Sequence, residues 1–206
     1  MHVRATAILV ASRPHGETAV IARMLTADHG LVAGYVAGGR GRRLRPVVIP
    51  GNTVDLELRA KSESMLPFAR IELSTSRAPW MREPLAAAAI QWACALTAGT
   101  LPERNPYPAL YDGLGGVLDA ICHAPSARGW LAAMVGYEAI LLRELGYGEG
   151  RVPPRPPIDA AFDEQFEAFR QLHRPIRDYL LAERPGNVMA ARTALGERLA
   201  RMNRSD

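Results

Sequence analysis

The hydrophobic residues of this 206-residue chain follow two different periods, and the change between them falls near residues 77–84. Before that point short apolar runs alternate with turn residues, and residues 54–59 alternate apolar with charged side chains, which is typical of a strand with one solvent-facing side. After it, apolar residues recur at the spacing of three and four that amphipathic helices show. This change of period predicts an α+β protein, with strands in its first part and helices in the remainder.

Five short strands are predicted in the first part of the chain, joined by turns of unequal length, at residues 3–11, 19–25, 31–36, 54–59 and 68–73. Gly30, in the turn between the second and third strands, is expected at a positive φ. Five strands of this length predict a small closed barrel of the OB-fold type, although the pattern alone does not separate it from an SH3-like barrel. The strand aromatics Tyr35 and Phe68 are predicted to pack in the core or at an end of the barrel, with a platform for base stacking as the alternative.

The proline-rich stretch 77–84 separates the strands from the helices. We therefore predict a nucleic-acid-binding OB-fold domain over residues 1–78 and an all-α helical domain over residues 79–206. Pro84 suits the first turn of a helix. Apolar spacing predicts helices at about 85–97, 109–123, 129–145, 160–172, from Pro175 onward, and 187–202. The third of these is predicted to stop at Gly146-Tyr-Gly148. The fourth carries an apolar stripe that is predicted to be core rather than a ligand site: Phe162, Phe166, Phe169 and Leu172. The proline tract 151–157 is predicted to be an extended spacer, with a PxxP ligand motif as the alternative.

A basic segment lies between the third and fourth predicted strands. It places four arginines within six positions and intersperses them with glycine: Arg40, Arg42, Arg43 and Arg45. The guanidinium group is a fixed fork of donors that suits phosphate, and glycine lets the main chain approach a polyanion closely. The segment is therefore a candidate phosphate clamp on a flexible loop. The alternative is a solvated, disordered loop whose charges only keep the chain soluble.

The remaining composition argues for binding rather than catalysis. The net charge is only +4, so the local cluster carries more information than the total, and the strand-face arginines Arg59 and Arg70 are expected to extend it. The sequence has neither a phosphate-loop motif nor a G-x-S-x-G elbow, and it lacks Cys-x-x-Cys spacing. We therefore predict no catalytic residues, no metal and no cofactor. No apolar run approaches the ~20 residues of a membrane span, so no membrane association and a cytoplasmic location are expected.

Five stretches occur in a characteristic order over residues 3 to 147. They are Arg13-Pro-His-Gly-Glu17, Thr26-Ala-Asp-His-Gly30, the glycine-arginine segment from Gly38 to Arg45, Leu101-Pro-Glu-Arg-Asn-Pro-Tyr-Pro-Ala-Leu-Tyr111 and Leu142-Arg-Glu-Leu-Gly-Tyr147. Together they resemble the RecO family of bacterial recombination mediators. The glycine-arginine segment sits where that family carries its basic loop.

The resemblance implies an N-terminal OB-fold followed by a helical domain, and a non-catalytic activity in DNA repair. It implies binding of single- and double-stranded DNA, annealing of complementary strands, and loading of the RecA recombinase together with RecR onto DNA coated by single-strand-binding protein. Such a protein acts at the nucleoid. Many family members carry a four-cysteine zinc motif after a Gly-Tyr-Gly turn, and here the proline tract 151–157 stands in that region. A metal site is therefore not carried over.

The resemblance also implies docking to the acidic, hydrophobic C-terminal tail of single-strand-binding protein. A tail that carries carboxylate and aromatic groups needs an apolar groove rimmed by arginine. The helix near 129–145 and the basic C-terminal helix are the predicted sites, with Arg128, Arg143 or Arg192 at the rim. Two rival functions remain open: a protein-interaction scaffold whose barrel does not bind DNA, and a nucleotide-handling enzyme, which the missing motifs disfavour.

Overall fold

The computed structural model describes residues 2–60, 62, 65–148, 152, 156–182 and 187–203. Its first part contains all five predicted strands, which are β1 His2–His15, β2 Ala19–Thr26, β3 Gly30–Val36, β4 Thr53–Arg59 and β5 Phe68–Thr75. The period-two prediction for β4 is confirmed, because Val54, Leu56 and Leu58 are buried while Asp55 and Arg59 are exposed. Burial of each such aliphatic side chain stabilises the fold by about 1.5–3 kcal/mol.

The strands close into a barrel in the order β1-β2-β3-β5-β4. Antiparallel pairing joins β1 to both β2 and β4, whereas β3 and β5 run parallel and pair through Tyr35 and Phe68. This closure confirms the OB-fold prediction over an SH3-like barrel. A register shift between Leu9 and Ala11 bends β1, so that its first half pairs with β4 and its second half with β2.

The remainder of the chain is helical, as predicted. The helices are α1 Pro84–Thr100, α2 Pro108–His123, α3 Leu131–Glu144, α4 Phe162–Gln171, α5 His173–Pro175 and α6 Asn187–Asn203. A 3₁₀ turn at Ala127–Gly129 precedes α3, which therefore begins two residues later than predicted. Pro175 ends α5 instead of starting a helix, and a π-helical turn, Ile176–Leu180, follows it. None of the helices in the described ranges is long and apolar enough to cross a membrane.

Two further helical predictions are confirmed in detail. The stripe on α4 is core, since Phe162, Phe169 and Leu172 are buried. The predicted end of α3 is confirmed, because Gly146 follows the helix with a φ of 89° and the Tyr147 N–H donates to Leu142 O at 2.9 Å. Of the proline tract 151–157, residues 151 and 153–155 lie outside the described residues.

Contacts divide the chain into two compact units, residues 1–82 with 101–111, and residues 83–100 with 112–206. We call them the barrel unit and the helical unit. The link 101–111 groups with the barrel because the Arg104 N–H donates to Leu31 O at 2.9 Å. Gly30 is required beside this link for two reasons: its φ is +64°, as predicted, and an added Cβ would lie 2.1 Å from Asn105 O.

Candidate functional site

The basic segment is folded and anchored, which corrects the prediction of a flexible loop. Residues 37–50 form successive turns, in which the Leu44 N–H donates to Gly41 O at 3.2 Å and the N–H groups of Val47 and Val48 donate to Leu44 O at 2.9 and 3.0 Å. Val47 and Val48 belong to the barrel core. Burying these two side chains holds the arginines against the barrel, so the segment presents its charges from a defined platform.

Asn52 fastens the C-terminal end of this segment. Its buried amide Nδ2 donates to Pro46 O at 2.9 Å and to Val47 O at 3.0 Å, and its Oδ1 accepts the Arg77 N–H at 2.8 Å. The Arg77 guanidinium is itself buried and donates to Gly51 O at 2.6 Å. Sequence analysis singled out neither of these side chains. The available signal in the sequence was the position of Asn52, a polar residue between Gly51 and the strand β4.

Arg40 has a structural role on top of its predicted one. Its guanidinium donates to Gly16 O at 3.1 Å and to Glu17 O at 2.9 Å, which fastens the segment to the turn between β1 and β2. The neighbouring Gly39 lies so close to the barrel that an added Cβ would be 2.6 Å from Val20 Cγ2. Gly39 therefore provides close packing of the main chain against β2.

Arg42, Arg43 and Arg45 are the exposed cations of the segment. Within the part of the chain that the structure describes, no hydrogen bond or ion pair is recorded for their guanidinium groups. Because no recorded carboxylate neutralises them, their donors are available to an external anion. A planar fork of this kind suits bidentate contact with phosphate.

Arg59 and Arg70 lie on the outer face of the sheet, as predicted, but each is paired. Arg59 contacts Glu57 at 2.7 Å and Arg70 contacts Glu72 at 2.8 Å. Hydrogen bonds from Arg59 and from two further basic side chains lower the pKa of Glu57 to about 2. A phosphate that approached Arg59 or Arg70 would compete with these carboxylates, so both arginines are weaker anion contacts than those of the basic segment.

Phe68 is exposed, which corrects the prediction that it packs in the barrel. Its residue surface is 51% accessible, and it is contacted on one side by the half-buried Tyr35, with ring centroids 5.8 Å apart. His15 packs edge-on against Tyr35, also at 5.8 Å. We call His15, Tyr35 and Phe68 the ring row. The prediction failed because β5 enters the barrel at Phe68, where the alternation places the ring outside.

A groove of about 570 Å³ runs beside Phe68 on the barrel unit. We call it the barrel groove. Its lining is mostly apolar and includes Leu44, Ile71 and Leu73, together with the cations Arg43 and Arg70 and the carboxylate of Glu72, which is paired with Arg70. A second depression of about 210 Å³ is lined by Glu57, Arg59, Phe68 and Arg70. The exposed ring therefore borders two hollows that arginines also line.

In the helical unit, the fold does not bring the three predicted partner-binding arginines together. Arg128 and Arg143 are both exposed but lie at opposite ends of α3, whose 14 residues span about 20 Å. The Arg128 guanidinium lies 5.5 Å from the Phe162 ring centroid. Arg128 and Arg143 therefore cannot border one small groove.

Arg192 was predicted on the exposed face of the last helix, and this is wrong: it is only 2% accessible. It contacts the fully buried Glu138 at 2.8 Å and also donates to the Phe169 carbonyl. Trp92 Nε1 donates to the same carboxylate at 2.6 Å. Burial raises the pKa of the Glu138 carboxyl, and the charge of Arg192 opposes that rise. The sequence held a signal, since Arg192 falls at helical spacing within the apolar stripe of Val188, Leu195 and Leu199.

A groove of about 590 Å³ lies between α4 and α6, and α6 is the C-terminal helix that was one of the two predicted sites. We call it the helical groove. Its apolar lining is formed by Phe166, Phe169, Gly196 and Ala200, and its other lining residues are Arg170, His173, Arg174, Arg192, Thr193 and Glu197. Among the described residues, the exposed Arg170 and Arg174 are paired with surface carboxylates, at 3.2 Å to Glu167 and 3.3 Å to Asp178. Surface pairs of this kind are weak, so both arginines can turn to a ligand.

Metal ligation finds no support in the described ranges, where no group of three or more His, Cys, Asp or Glu side chains is arranged to hold an ion. The two basic or arginine-bordered surfaces, one on each unit, are therefore the candidate sites.

Two family models match the chain. The model described as "Recombination protein O N terminal" matches residues 1–77, and the one described as "Recombination protein O C terminal" matches residues 81–148. Together they cover well over half of the chain. The chain belongs to the RecO family. The first match spans the barrel with its basic segment, and the second ends before α4, so the helical groove lies outside both.

Relatives in the RecO family support the same assignment. The chain is 42% identical over 143 residues to the DNA repair protein RecO of Rhodospirillum centenum, an alignment that covers 69% of this chain and 56% of that protein. It is 39% identical over 143 residues to the DNA repair protein RecO of Phenylobacterium zucineum, covering 69% and 58%. The chain thus spans less than two thirds of the length of these relatives.

Proposed function

We propose that this chain is a non-catalytic recombination mediator whose barrel binds the phosphates of single- and double-stranded DNA. The observation that carries the proposal is the anchored basic segment, whose Arg42, Arg43 and Arg45 have no recorded partner in the described part of the chain. Arg40, Arg59 and Arg70 extend the basic surface, although each already has protein partners. The absence of phosphate-loop and nucleophile motifs from the sequence supports a role without catalysis.

Annealing follows from electrostatics. Two complementary strands repel one another through their phosphates, and a protein that neutralises both removes part of that repulsion. Contacts to phosphate carry no sequence information, so this activity applies to any complementary pair. Binding should also be strongly dependent on salt, because each neutralised phosphate releases condensed counterions.

The salt dependence of DNA binding tests the proposal. If the segment neutralises three or four phosphates of a duplex, the slope of log affinity against log salt is about −3 to −4. The variant Arg42→Ala/Arg43→Ala/Arg45→Ala should flatten that slope by about 2 to 3. Arg40 is left in place because its hydrogen bonds hold the segment. Fluorescence anisotropy with labelled duplex and single strands measures both slopes.

A charge-matched control separates a local contact from the effect of net charge. The variant Arg170→Ala/Arg174→Ala/Arg177→Ala removes the same number of positive charges from the helical unit and should leave the slope within about 0.5 of the wild-type value. An unchanged slope in the segment variant would move the DNA site elsewhere. No binding of wild type at low salt would favour the alternative function, a protein-interaction scaffold.

We further propose that the helical groove binds the acidic, hydrophobic tail of single-strand-binding protein. Its aromatic lining suits an apolar side chain, and Arg170 and Arg174 suit a carboxylate. In the titration of the full chain with a tail peptide, Arg170→Ala/Arg174→Ala should weaken binding about tenfold, and the paired variant Arg128→Ala/Arg143→Ala should not. The reverse result would return the site to the ends of α3.

The mediator activity itself requires partners. We propose that the chain acts with RecR at the nucleoid in the cytoplasm, to load RecA onto DNA coated by single-strand-binding protein. A RecA filament assembly assay on coated DNA tests this proposal. The basic-segment and helical-groove variants should each lower the loading rate, for different reasons: the first loses DNA and the second loses the coating protein. Full loading by both variants would refute this role for the two surfaces.

A further inference from the structure

The ring of Phe68 borders two hollows that arginines also line, and phosphate binding makes no use of it. Phe68 is 51% accessible, although β5 offers alternate positions that are buried. Its neighbour on the ring row, Tyr35, lies 5.8 Å away between ring centroids at a tilt of 47°. An exposed phenyl ring attracts another flat apolar ring, and nucleobases stack on such rings regardless of their identity.

The barrel groove lies at the seam where β3 and β5 separate. The two strands pair only at Tyr35 and Phe68, where the Tyr35 N–H donates to Pro67 O at 2.8 Å, and β3 ends one residue later. From there β5 runs on beside the basic segment. The opening leaves Leu73 42% accessible, although its alternation with Ile71 would place it in the core of a fully paired sheet.

The charges around this groove suit one occupant. Arg43 borders it and has no recorded partner within the described residues, whereas Arg70 is held by Glu72 at 2.8 Å. The groove therefore combines an apolar wall, an open aromatic ring and an available cation. An unpaired nucleotide has the complementary parts, which are a flat base and an adjacent phosphate. An acidic peptide with an aromatic side chain carries similar groups, but the basic segment proposed to bind DNA borders this groove at Arg43, which favours the nucleotide.

We propose that Phe68 is a stacking platform for an unpaired base of single-stranded DNA, with the base lying along the barrel groove and its phosphate on Arg43. This inference rests on the proposed DNA-binding function and refines it. Phosphate contacts treat single and double strands alike, whereas a stacking platform contributes only when bases are unpaired. Annealing then withdraws the bases from Phe68 and leaves the duplex held by phosphates alone. The protein thereby favours substrate over product and releases the annealed strands.

The test compares two single strands of equal length, a thymidine oligonucleotide and an abasic oligonucleotide with the same number of phosphates. The full chain should bind the thymidine strand about tenfold more tightly at equal salt, which is the contribution of one stacked base. The variant Phe68→Ala should lose this preference, while its affinity for the abasic strand and for duplex stays within about twofold. Phe68→Trp should keep the preference, because it retains a flat aromatic face.

Two controls keep the result interpretable. Met65→Ala removes a side chain of equal exposure, 53%, that lines neither hollow, and it should retain the preference for the thymidine strand. The salt slope of Phe68→Ala should match wild type, because no charge is removed.

Equal affinity of the wild-type chain for the two strands would overturn the stacking proposal whether or not any variant folds. Equal weakening of both strands by Phe68→Ala would also overturn it. If wild type binds neither strand at low salt, the proposed DNA-binding function itself fails.

Discussion

The buried pair of Glu138 and Arg192 allows a quantitative test of the helical unit. Replacing Arg192 by methionine keeps most of the volume but leaves the Glu138 carboxylate buried with only the Trp92 N–H. Breaking a buried ion pair on one side costs about 3–5 kcal/mol. The guanidinium also lies 3.9 Å from the Phe169 ring centroid, a contact worth roughly 0.5–2 kcal/mol. The loss is large against a typical stability of about 5–15 kcal/mol.

Chemical denaturation followed by far-ultraviolet circular dichroism measures this loss. Arg192→Met should lower the unfolding free energy by about 3–5 kcal/mol, and Arg201→Met, an exposed position on the same helix, by less than about 0.5 kcal/mol. The double variant Glu138→Gln/Arg192→Met carries no buried charge and keeps an acceptor for Trp92. It should therefore be more stable than Arg192→Met alone, with a coupling of about 2 kcal/mol.

The pH dependence of the stability of Arg192→Met tests whether the buried charge of Glu138 causes the loss. Without Arg192, burial holds the pKa of Glu138 above its unfolded value, so the folded variant binds a proton at higher pH than the unfolded chain. Its stability then rises as pH falls through the folded pKa, and the deficit relative to wild type shrinks near pH 5. An Arg192→Met deficit below about 1 kcal/mol, or a double variant less stable than the single one, would refute a structural role for the pair. Loss of tail binding at full stability would return Arg192 to the surface of the helical groove as a ligand contact.

Three further predictions concern the barrel unit. Asn52→Ala leaves the three partners of its amide, Pro46 O, Val47 O and the Arg77 N–H, without that hydrogen bond and should cost about 2–4 kcal/mol in denaturant unfolding, whereas Asn105→Ala, at an exposed position, should cost little; equal costs would contradict the anchoring role. Glu57 has a folded pKa of about 2, below its ordinary 4.5, so it stabilises the fold above pH 4.5 and this contribution is lost as pH falls toward 2. Glu57→Gln should therefore show a shallower loss of stability in acid than wild type, and parallel curves would contradict this. Glu72→Gln releases Arg70 and should raise single-strand affinity two- to fivefold, by about 0.4–1 kcal/mol, in anisotropy titrations at low salt; an unaltered affinity would show that Arg70 does not face DNA.

Most elements of the fold could be predicted from local sequence patterns. The strands of the barrel were predictable because burial on one face of a sheet imposes a period of two, and Gly30 was predictable because a tight turn needs a positive φ. The helices followed from apolar spacing, and the stop at Gly146 followed from glycine after the last apolar turn. These signals depend on residues a few positions apart, so a single sequence contains them.

The candidate sites were only partly predictable for the same reason. The position of the basic segment was evident from its composition, but its anchoring by Val47, Val48 and Asn52 depends on contacts across the barrel. The helical groove needs α4 and α6 to pack side by side, and no local pattern states which helices are neighbours. Sequence spacing identified the exposed Arg128 and Arg143 as candidates without showing that α3 separates them.

The sequence by itself determined the order of strands and helices, the place of the arginine cluster and membership in the RecO family. Each of these depends on the order of neighbouring residues along the chain. Only the tertiary structure decided which charges remain available. It buried Arg192 against Glu138, paired Arg59 and Arg70 with carboxylates, and left Arg42, Arg43 and Arg45 exposed. It also brought Phe68 to the surface at the seam of the barrel. Burial and pairing are set by residues distant in sequence, and they determine whether an arginine supports the fold or can bind a phosphate.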